Sequence, residues 1–456
     1  MSRKRSIGLG VVVIAVVAGV GVFGASASPP GGTDASEVTN WNRIAATNLG
    51  AIPGPNGGAP PAFQINMGMV QGAVYDAVNA IGPKQHQPYL LNKRTGAKAS
   101  IDAAVATAAY DVASHLVSTA PERAPFPGRA GLLTTLSNEY AASLSAIDDD
   151  SFKRQGIEIG HAAAAAMIAA RQNDGRFGPS AWVPNADPGH WQPLFTNPPP
   201  PQLPQPILDP TPWVGNVRPF LIQSSSQFRS VPPPALDSQQ WADEFNEVKS
   251  LGRIDSATRT SDQTYRAKWW QSAPVFSWNE VARQLITRTG LDAADSARLL
   301  ALENLSGADA SINCWNDKYH FDFWRPWNAI PRATEDGRDD TTPDATWTAL
   351  LTAPYPEWVS GHNCQDAAHT TVLRKFFGDD PVGGPFQITS VSAFLAPPPA
   401  DPRVREFNTF TEPLAELIEA RIWAGLHYRS ADVEGQRLGR NVANYGAAHY
   451  FQPVGN

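Results

Sequence analysis

The sequence predicts an all-α fold in which helical bundles are joined by long proline-rich loops. Alanine-rich stretches place apolar residues at helical spacing in both halves of the chain. No stretch with the alternating pattern of a strand separates them, so helices are expected to pack on helices. Proline residues cluster between the helical stretches, where they disfavour both helix and interior strand.

Length and composition restrict the class of protein. The chain has 456 residues, of which 42 % are hydrophobic, enough for one large core or two smaller ones. The net charge is −7, so no nucleic acid is expected among its partners. Beyond the N-terminus no apolar run reaches the length of a membrane span, so no membrane contact is expected once that segment is removed.

Residues 1–27 have the pattern of a secretory signal peptide. Basic residues stand at positions 3–5, an apolar run covers 7–23, and Ala-Ser-Ala at 25–27 suits signal cleavage. The sequence therefore predicts a secreted protein, extracellular or in the cell envelope. An uncleaved membrane anchor stays open as an alternative, because the apolar run is close to spanning length.

The rest of the chain divides into a flexible leader, two helical regions and a proline-rich excursion. The leader, 28–40, is rich in Pro, Gly and Ser. The N-terminal helical region, 41–181, is followed by the excursion, 182–236, which forms either a pocket wall or a simple tether. The C-terminal helical catalytic region is 237–456. Helices are predicted over 63–81, 103–116, 130–147, 152–173, 241–251, 278–289 and 293–323.

Two cations near the end of the last of these helices form the first motif. Lys318 and Arg325 are seven residues apart, so on one helix both point to the same side, and Pro326 then stops the helix. A solvated helix face is the ordinary interpretation of such a pair. The surrounding residues disfavour it, because cations among large apolar rings need an anionic partner. These rings are Trp315, Tyr319, Phe321, Phe323, Trp324 and Trp327.

A second motif, Ser360-Gly361-His362, precedes a helical run that ends at Gly378. Ser360 suits an N-cap, and the helix start directs free N–H groups at an anion. Gly361 permits close approach of the backbone, and His362 is placed to exchange a proton with a bound oxygen. Taken alone, the motif fits equally a serine that only caps and an exposed histidine.

The third motif is Arg421 and His427, with Gly425 between them. Gly425 is expected to end a helix, so that His427 turns back beside Arg421. One ring nitrogen of His427 is then free to act as a ligand while the other donates to an acceptor. Together the three motifs supply three cations, a hydroxyl, an N–H and two imidazoles, a set suited to phosphate or vanadate.

The motifs read Lys-x6-Arg-Pro, Ser-Gly-His and Arg-x5-His in order, within 301–456. In residues and spacing this resembles the vanadium-dependent haloperoxidase and type 2 phosphatidic acid phosphatase (PAP2) superfamily. The aromatic segment around Trp315 is closer to the haloperoxidase branch. The resemblance implies the helical fold of that superfamily and a vanadate cofactor, whose site phosphate also fits. It implies hydrogen peroxide, halide and a small organic acceptor as partners, and leaves the oligomeric state open.

The resemblance also implies roles for individual residues. His427 would bond vanadium and His362 would be the acid–base residue. The vanadate oxygens would be held by Lys318, Arg325, Arg421, Ser360 and the Gly361 N–H, and Trp315 and Tyr355 would stand in the halide pocket. One departure concerns the partner of His427, since Asp432 lies five residues after it and the family's acidic residue lies four after.

Two cysteines, Cys314 and Cys364, invite a disulfide in an exported chain. Cys314 lies one helical turn before Lys318, and Cys364 one turn after Ser360. If the lysine and the serine face one ligand, the cysteines lie side by side behind it. Two separate buried thiols are the alternative.

The function predicted from these residues is a vanadium-dependent haloperoxidase-like enzyme. One alternative is a secreted acid phosphatase that forms a phosphohistidine on the same scaffold. The other is an oxyanion-binding protein without catalysis.

Overall fold

A computed structural model describes residues 34–82, 86–96, 98–179, 182–195, 204–381, 383–398 and 400–454. The predicted signal peptide, 1–27, lies outside the described residues. The prediction of a flexible leader is wrong for 36–40, because the first helix begins at Ser36. Val38 and Trp41 face the core from this helix, and their burial outweighs the polar composition around them.

Helices dominate the N-terminal half, and the predicted ones are all present. Pro60 starts the second helix at a position where the missing N–H costs nothing, and Asp150 caps the fifth with its carboxylate. The helices are α1 Ser36–Gly50, α2 Pro60–Asn79, α3 Ile101–Ser118, α4 Arg129–Ser145 and α5 Ser151–Ala170. α2 is buried on nearly all sides and packs along the central helix of the C-terminal half.

The C-terminal half is built around one long, almost entirely buried helix, α9. It contacts α2, α11 and α13 and ends within the first motif, between Lys318 and Arg325. The helices are α6 Gln239–Leu251, α7 Ser261–Trp269, α8 Pro274–Thr289, α9 Ala293–Phe321, α10 Pro326–Ala329, α11 Gly361–Phe377, α12 Thr411–Trp423 and α13 Arg429–His449. The only strands in the described ranges are an antiparallel pair, β1 Phe386–Thr389 and β2 Val404–Phe407. The all-α prediction is confirmed.

The described part of the proline-rich excursion lies along α9 and contains one short 3-10 turn, Pro212–Asn216. The carboxylate of Asp309 on α9 accepts three consecutive backbone N–H groups of the excursion, at 2.6–2.8 Å. Asp317, two turns later, accepts the N–H of Ser230 at 2.9 Å. These bonds satisfy backbone groups that a loop without secondary structure leaves unpaired.

Among the described helices, none combines the length and apolar character needed to cross a membrane. The division of the chain at 181 and 236 stays a prediction.

Candidate active site

Three chain segments meet at one buried position. They are the end of α9 with the turn into α10, the start of α11 with the loop before it, and the loop between α12 and α13. The residues that come together are Lys318, Arg325, Ser360, Gly361, Arg421 and His427, all of them buried. His362, also from the start of α11, is partly exposed. The predicted convergence of the three motifs is therefore present in the geometry.

Lys318 and Arg325 join these segments through backbone carbonyls. The Lys318 ammonium donates to the carbonyls of Pro356, Glu357 and Val359 at 3.1, 3.1 and 2.6 Å. The Arg325 guanidinium donates to the carbonyl of Tyr355 at 3.0 Å. It also donates to the carbonyl of Leu426, in the third segment, at 2.7 Å.

The expectation that Lys318 and Arg325 share one helix face is wrong. α9 ends at Phe321, and Asp322 takes a left-handed conformation with φ 49°. Its carboxylate accepts the Trp182 indole N–H at 2.7 Å, so a contact with the excursion favours the early helix end. Arg325 stands on extended backbone before α10 and reaches the same position as Lys318 by a different route.

His427 is oriented by a carboxylate that the sequence did not reveal as its partner. Its Nδ1 lies 2.8 Å from Oε1 of Glu357, which also accepts the Tyr428 N–H at 3.2 Å. Its Nε2 lies 3.2 Å from the Arg325 guanidinium. An ionised Glu357 accepts only from Nδ1–H, which leaves the Nε2 lone pair turned toward the cations.

The turn that brings His427 back depends on Gly425, as predicted. Gly425 has φ 74°, a conformation that glycine adopts without strain, and α12 ends at Trp423. A Cβ at Gly425 would lie 2.5 Å from the carbonyl oxygen of Gly252. No larger residue fits at this turn without displacing the backbone.

Ser360 stands at the N-cap of α11, but its hydroxyl does not cap the helix. It accepts from the amide of Asn363 at 3.2 Å, and the same amide donates to Asp432 at 2.8 Å. Asp432, whose spacing from His427 departs from the family pattern, is thus linked to Ser360 through Asn363. The acidic partner of His427 is Glu357.

Two further polar side chains contact residues in the loop between α7 and α8. Arg421 donates to the Gln271 side chain at 2.8 Å, while its buried Nε has no partner among the described residues. Nε2 of His362 lies 3.2 Å from the carbonyl of Ser272. This loop could not be predicted as part of the site, because nothing in its composition differs from that of an ordinary connection.

An aromatic wall, formed by Trp315 and Tyr355, bounds one side of the cation cluster. The two ring centroids lie 5.1 Å apart. The Lys318 ammonium lies 5.7 Å from the Trp315 ring and 5.1 Å from the Tyr355 ring. A Cβ at Gly361 would lie 3.1 Å from the Trp315 ring, so this glycine lets the backbone lie close to the indole.

The site carries an excess of positive charge. Burial, together with the charge of Arg325, lowers the pKa of Lys318 to about 8. Burial lowers the pKa of Arg421 to about 10 and, with the neighbouring cations, holds that of His427 well below its usual range. Within the described residues, the groups that accept hydrogen bonds from these two cations and from Arg325 are all uncharged. An anion placed here is therefore strongly stabilised.

This donor set fits a tetrahedral oxyanion better than a bare metal cation. Three buried cations lie close to the His427 imidazole, whose Nε2 lone pair faces the Arg325 guanidinium. Among the described residues, no three His, Cys, Asp or Glu side chains gather as cation ligands. The unpartnered Nε of Arg421 has the chemistry of an oxyanion donor.

Residues 298–456, which carry all three motifs, match the family described as the VCPO second helical-bundle domain. The chain is 23 % identical to vanadium chloroperoxidase of Curvularia inaequalis over 401 residues, 74 % of this chain and 63 % of the relative. The chain thus matches less than two thirds of that relative's length.

Solved structures of haloperoxidases share the fold of this chain. One, described as the first bacterial vanadium-dependent iodoperoxidase, aligns with a TM-score of 0.71 at 22 % identity, over 94 % of this chain and all of that one. A bacterial vanadium-dependent chloroperoxidase in its apo form aligns with a TM-score of 0.67 at 15 % identity, over 87 % and 94 %. The resemblance to the haloperoxidase branch is thereby confirmed.

The disulfide that the sequence predicted is not formed. Cys314 and Cys364 are both buried free thiols. The Cys314 thiol donates to the carbonyl of Val359 at 3.6 Å. Burial, and then contact with Cys314, raises the pKa of Cys364 well above its usual range. The two cysteines lie together behind the site as expected, but as thiols.

Proposed function

We propose that the protein is a vanadium-dependent haloperoxidase, which uses hydrogen peroxide to oxidise halide at a vanadate held by His427. One observation carries this proposal. A buried imidazole has one nitrogen on a carboxylate and the other 3.2 Å from the Arg325 guanidinium, close to two further cations. Among the described residues, these three cations donate hydrogen bonds to uncharged groups only. Such an arrangement suits a nitrogen ligand to the central atom of an oxyanion.

In this proposal the chain's own groups hold the oxyanion by charge and hydrogen bonds. Lys318, Arg325 and Arg421 neutralise the oxygens, and the Ser360 hydroxyl and the Gly361 N–H donate to them. When bound, vanadate supplies a Lewis-acid centre that makes hydrogen peroxide open to attack by halide.

His362 is the proposed acid–base residue. Its Nε2 faces a carbonyl and therefore carries the hydrogen, which leaves Nδ1 as the basic nitrogen. Burial, and next the charge of Arg421, holds the pKa of His362 well below its usual range, so the ring is neutral and ready to take a proton from hydrogen peroxide. His362 would then return the proton. Overall, hydrogen peroxide, halide and one proton give hypohalous acid and water.

The aromatic wall is proposed to guide halide. Trp315 and Tyr355 lie beside the cations with their ring faces toward Lys318, so a halide attracted by the cluster would bind against an apolar wall that excludes water. Hypohalous acid formed there would then halogenate a small organic acceptor.

A phosphatase is the second candidate, because the same groups fit phosphate. The lone pair of His427 Nε2, oriented by Glu357, would attack phosphorus, and His362 would protonate the leaving alcohol. A pocket that binds oxyanions without catalysis is the third possibility.

One pair of assays separates these functions. Vanadate-loaded protein is given peroxide, bromide and a phenolic dye that traps hypobromous acid, and vanadate-free protein is given p-nitrophenyl phosphate. The proposal predicts bromination that His427→Ala abolishes. Hydrolysis without bromination would select the phosphatase, and neither activity would select the binding protein.

We also propose that the chain is exported with cleavage after residue 27. N-terminal sequencing of protein recovered outside the cell tests this, and an intact N-terminus would contradict it.

A further inference from the structure

A buried carboxylate of the proline-rich excursion contacts the edge of the aromatic wall. Oδ2 of Asp209 accepts the indole N–H of Trp315 at 3.0 Å and the hydroxyl of Tyr319 at 2.8 Å. Its other oxygen accepts the backbone N–H and the hydroxyl of Thr211 at 2.7 and 2.9 Å. Asp209 is only 8 % exposed, so these four donors take the place of solvent.

The charge of Asp209 is not neutralised by a cation. In the described part of the chain its hydrogen-bond partners are a tryptophan, a tyrosine and a threonine, all uncharged. Burial raises the pKa of Asp209, and the four donors oppose that rise. A carboxylate buried in this way has a cost in stability that a neutral side chain would avoid, which indicates a role in the position of its partners.

The opposite side of Trp315 faces the anion site. Its ring would contact a Cβ at Gly361, and it lies next to Lys318 and Tyr355. The indole is therefore held at its N–H edge by the excursion while its face bounds the cation cluster. Removing the edge contact leaves the indole held by packing alone, so small rotations about its side-chain bonds become less costly.

We propose that Asp209 is a positioning residue for the halide side of the site, which acts by fixing the Trp315 indole. The excursion is then part of the active site and more than a connection between helical regions. This inference rests on the proposed function, because it assigns the aromatic wall to halide.

The test compares Asp209→Ala and Asp209→Asn with wild type in the full-length, vanadate-loaded protein. Asp209→Ala is expected to raise the KM for bromide by up to about tenfold, because the effect on halide binding cannot exceed the loss of the one charge-assisted hydrogen bond that holds the indole. The KM for peroxide should not change. Asp209→Asn keeps an acceptor for the indole N–H and is expected to restore most of the bromide affinity.

A matched control is Trp182→Phe. It removes a comparable indole–carboxylate bond between the excursion and the end of α9, to Asp322 at 2.7 Å, and leaves the bond between Asp209 and Trp315 in place. Its KM for bromide should equal that of wild type. An equal rise in the control and in Asp209→Ala would show that the excursion is only a structural support, and would overturn the inference.

Chloride binding gives a readout that does not need turnover. Broadening of the ³⁵Cl NMR line is measured on peroxide-free protein with and without vanadate. Weaker broadening in Asp209→Ala than in Asp209→Asn and wild type supports the inference even if no halide is oxidised, in which case only the proposed function fails. Equal broadening in all variants, or none in wild type, overturns it. If Asp209→Ala does not fold, Asp209→Leu takes its place, because leucine is close in size to aspartate and cannot accept the indole N–H. Weaker broadening in Asp209→Leu than in Asp209→Asn supports the inference, and wild-type broadening in Asp209→Leu overturns it.

Discussion

Glu357→Gln is the substitution that most sharply tests how His427 is held. The amide keeps an acceptor at the position of Oε1 but removes the charge from a bond of 2.8 Å to His427 Nδ1. The imidazole should keep its orientation and become a weaker ligand. Loss of an outer-shell partner of this kind lowers the affinity for a bound metal by about tenfold to hundredfold. That range corresponds to about 1.4–2.8 kcal/mol of binding free energy.

The effect should depend on pH in a defined direction. Burial raises the pKa of Glu357 to about 8, against the opposing charges of Arg325 and Lys318. The wild-type carboxyl becomes ionised as pH rises through this value, and the amide does not. The ratio of vanadate Kd between Glu357→Gln and wild type should therefore grow as the pH is raised from 7 to 9. The charge of Glu357 also raises the pKa of Lys318, so the variant loses the lysine charge at lower pH, which changes the ratio in the same direction.

Vanadate titration followed by calorimetry measures this affinity, and the chain offers a matched control. Glu303 and His369 form a second fully buried pair, with 3.1 Å between Oε1 and Nδ1, in the core between α9 and α11. Glu303→Gln should lower the Tm and leave the vanadate Kd unchanged. Equal Kd values for wild type and Glu357→Gln across this pH range would refute the argument that Glu357 tunes the ligand.

Further outcomes follow from the charges and glycines of the site. Phosphate should bind vanadate-free protein more weakly as pH rises through about 8, where Lys318 loses its proton. In calorimetry, Lys318→Met should bind phosphate more weakly at low pH and should not show this fall in affinity near pH 8. A fall that persists in the variant would assign it to another group. Gly361→Ala should weaken vanadate binding, since its Cβ would crowd Trp315 at 3.1 Å; an unchanged Kd would contradict this. Gly425→Ala should cost about 1–3 kcal/mol of stability, more than Gly290→Ala, whose glycine also has positive φ but open space around it. Equal losses on urea unfolding would exclude a backbone clash at Gly425.

Local patterns in the sequence predicted the fold class and the convergence of the motifs. Apolar periodicity located the predicted helices to within a few residues, because most of them bury one face against a neighbour. It did not predict α1 or α7. The glycine between Arg421 and His427 predicted the turn correctly, since it needs φ 74° there. Such features depend on residues close together in the chain.

What the sequence did not reveal depends on contacts between distant residues. Glu357 and His427 are 70 residues apart, and no spacing rule connects them. The early end of α9 at Phe321 follows from a bond between Asp322 and Trp182, 140 residues away. The short β1–β2 pair escaped notice because each strand has only four residues, too few for a clear alternating pattern.

A crystal structure of the protein soaked with orthovanadate would show whether the three motifs form one oxyanion site. We expect a single oxyanion bonded to Nε2 of His427 and contacted by Lys318, Arg325 and Arg421. Vanadate bound away from His427, or a fully occupied oxyanion whose oxygens touch none of the three cations, would contradict it.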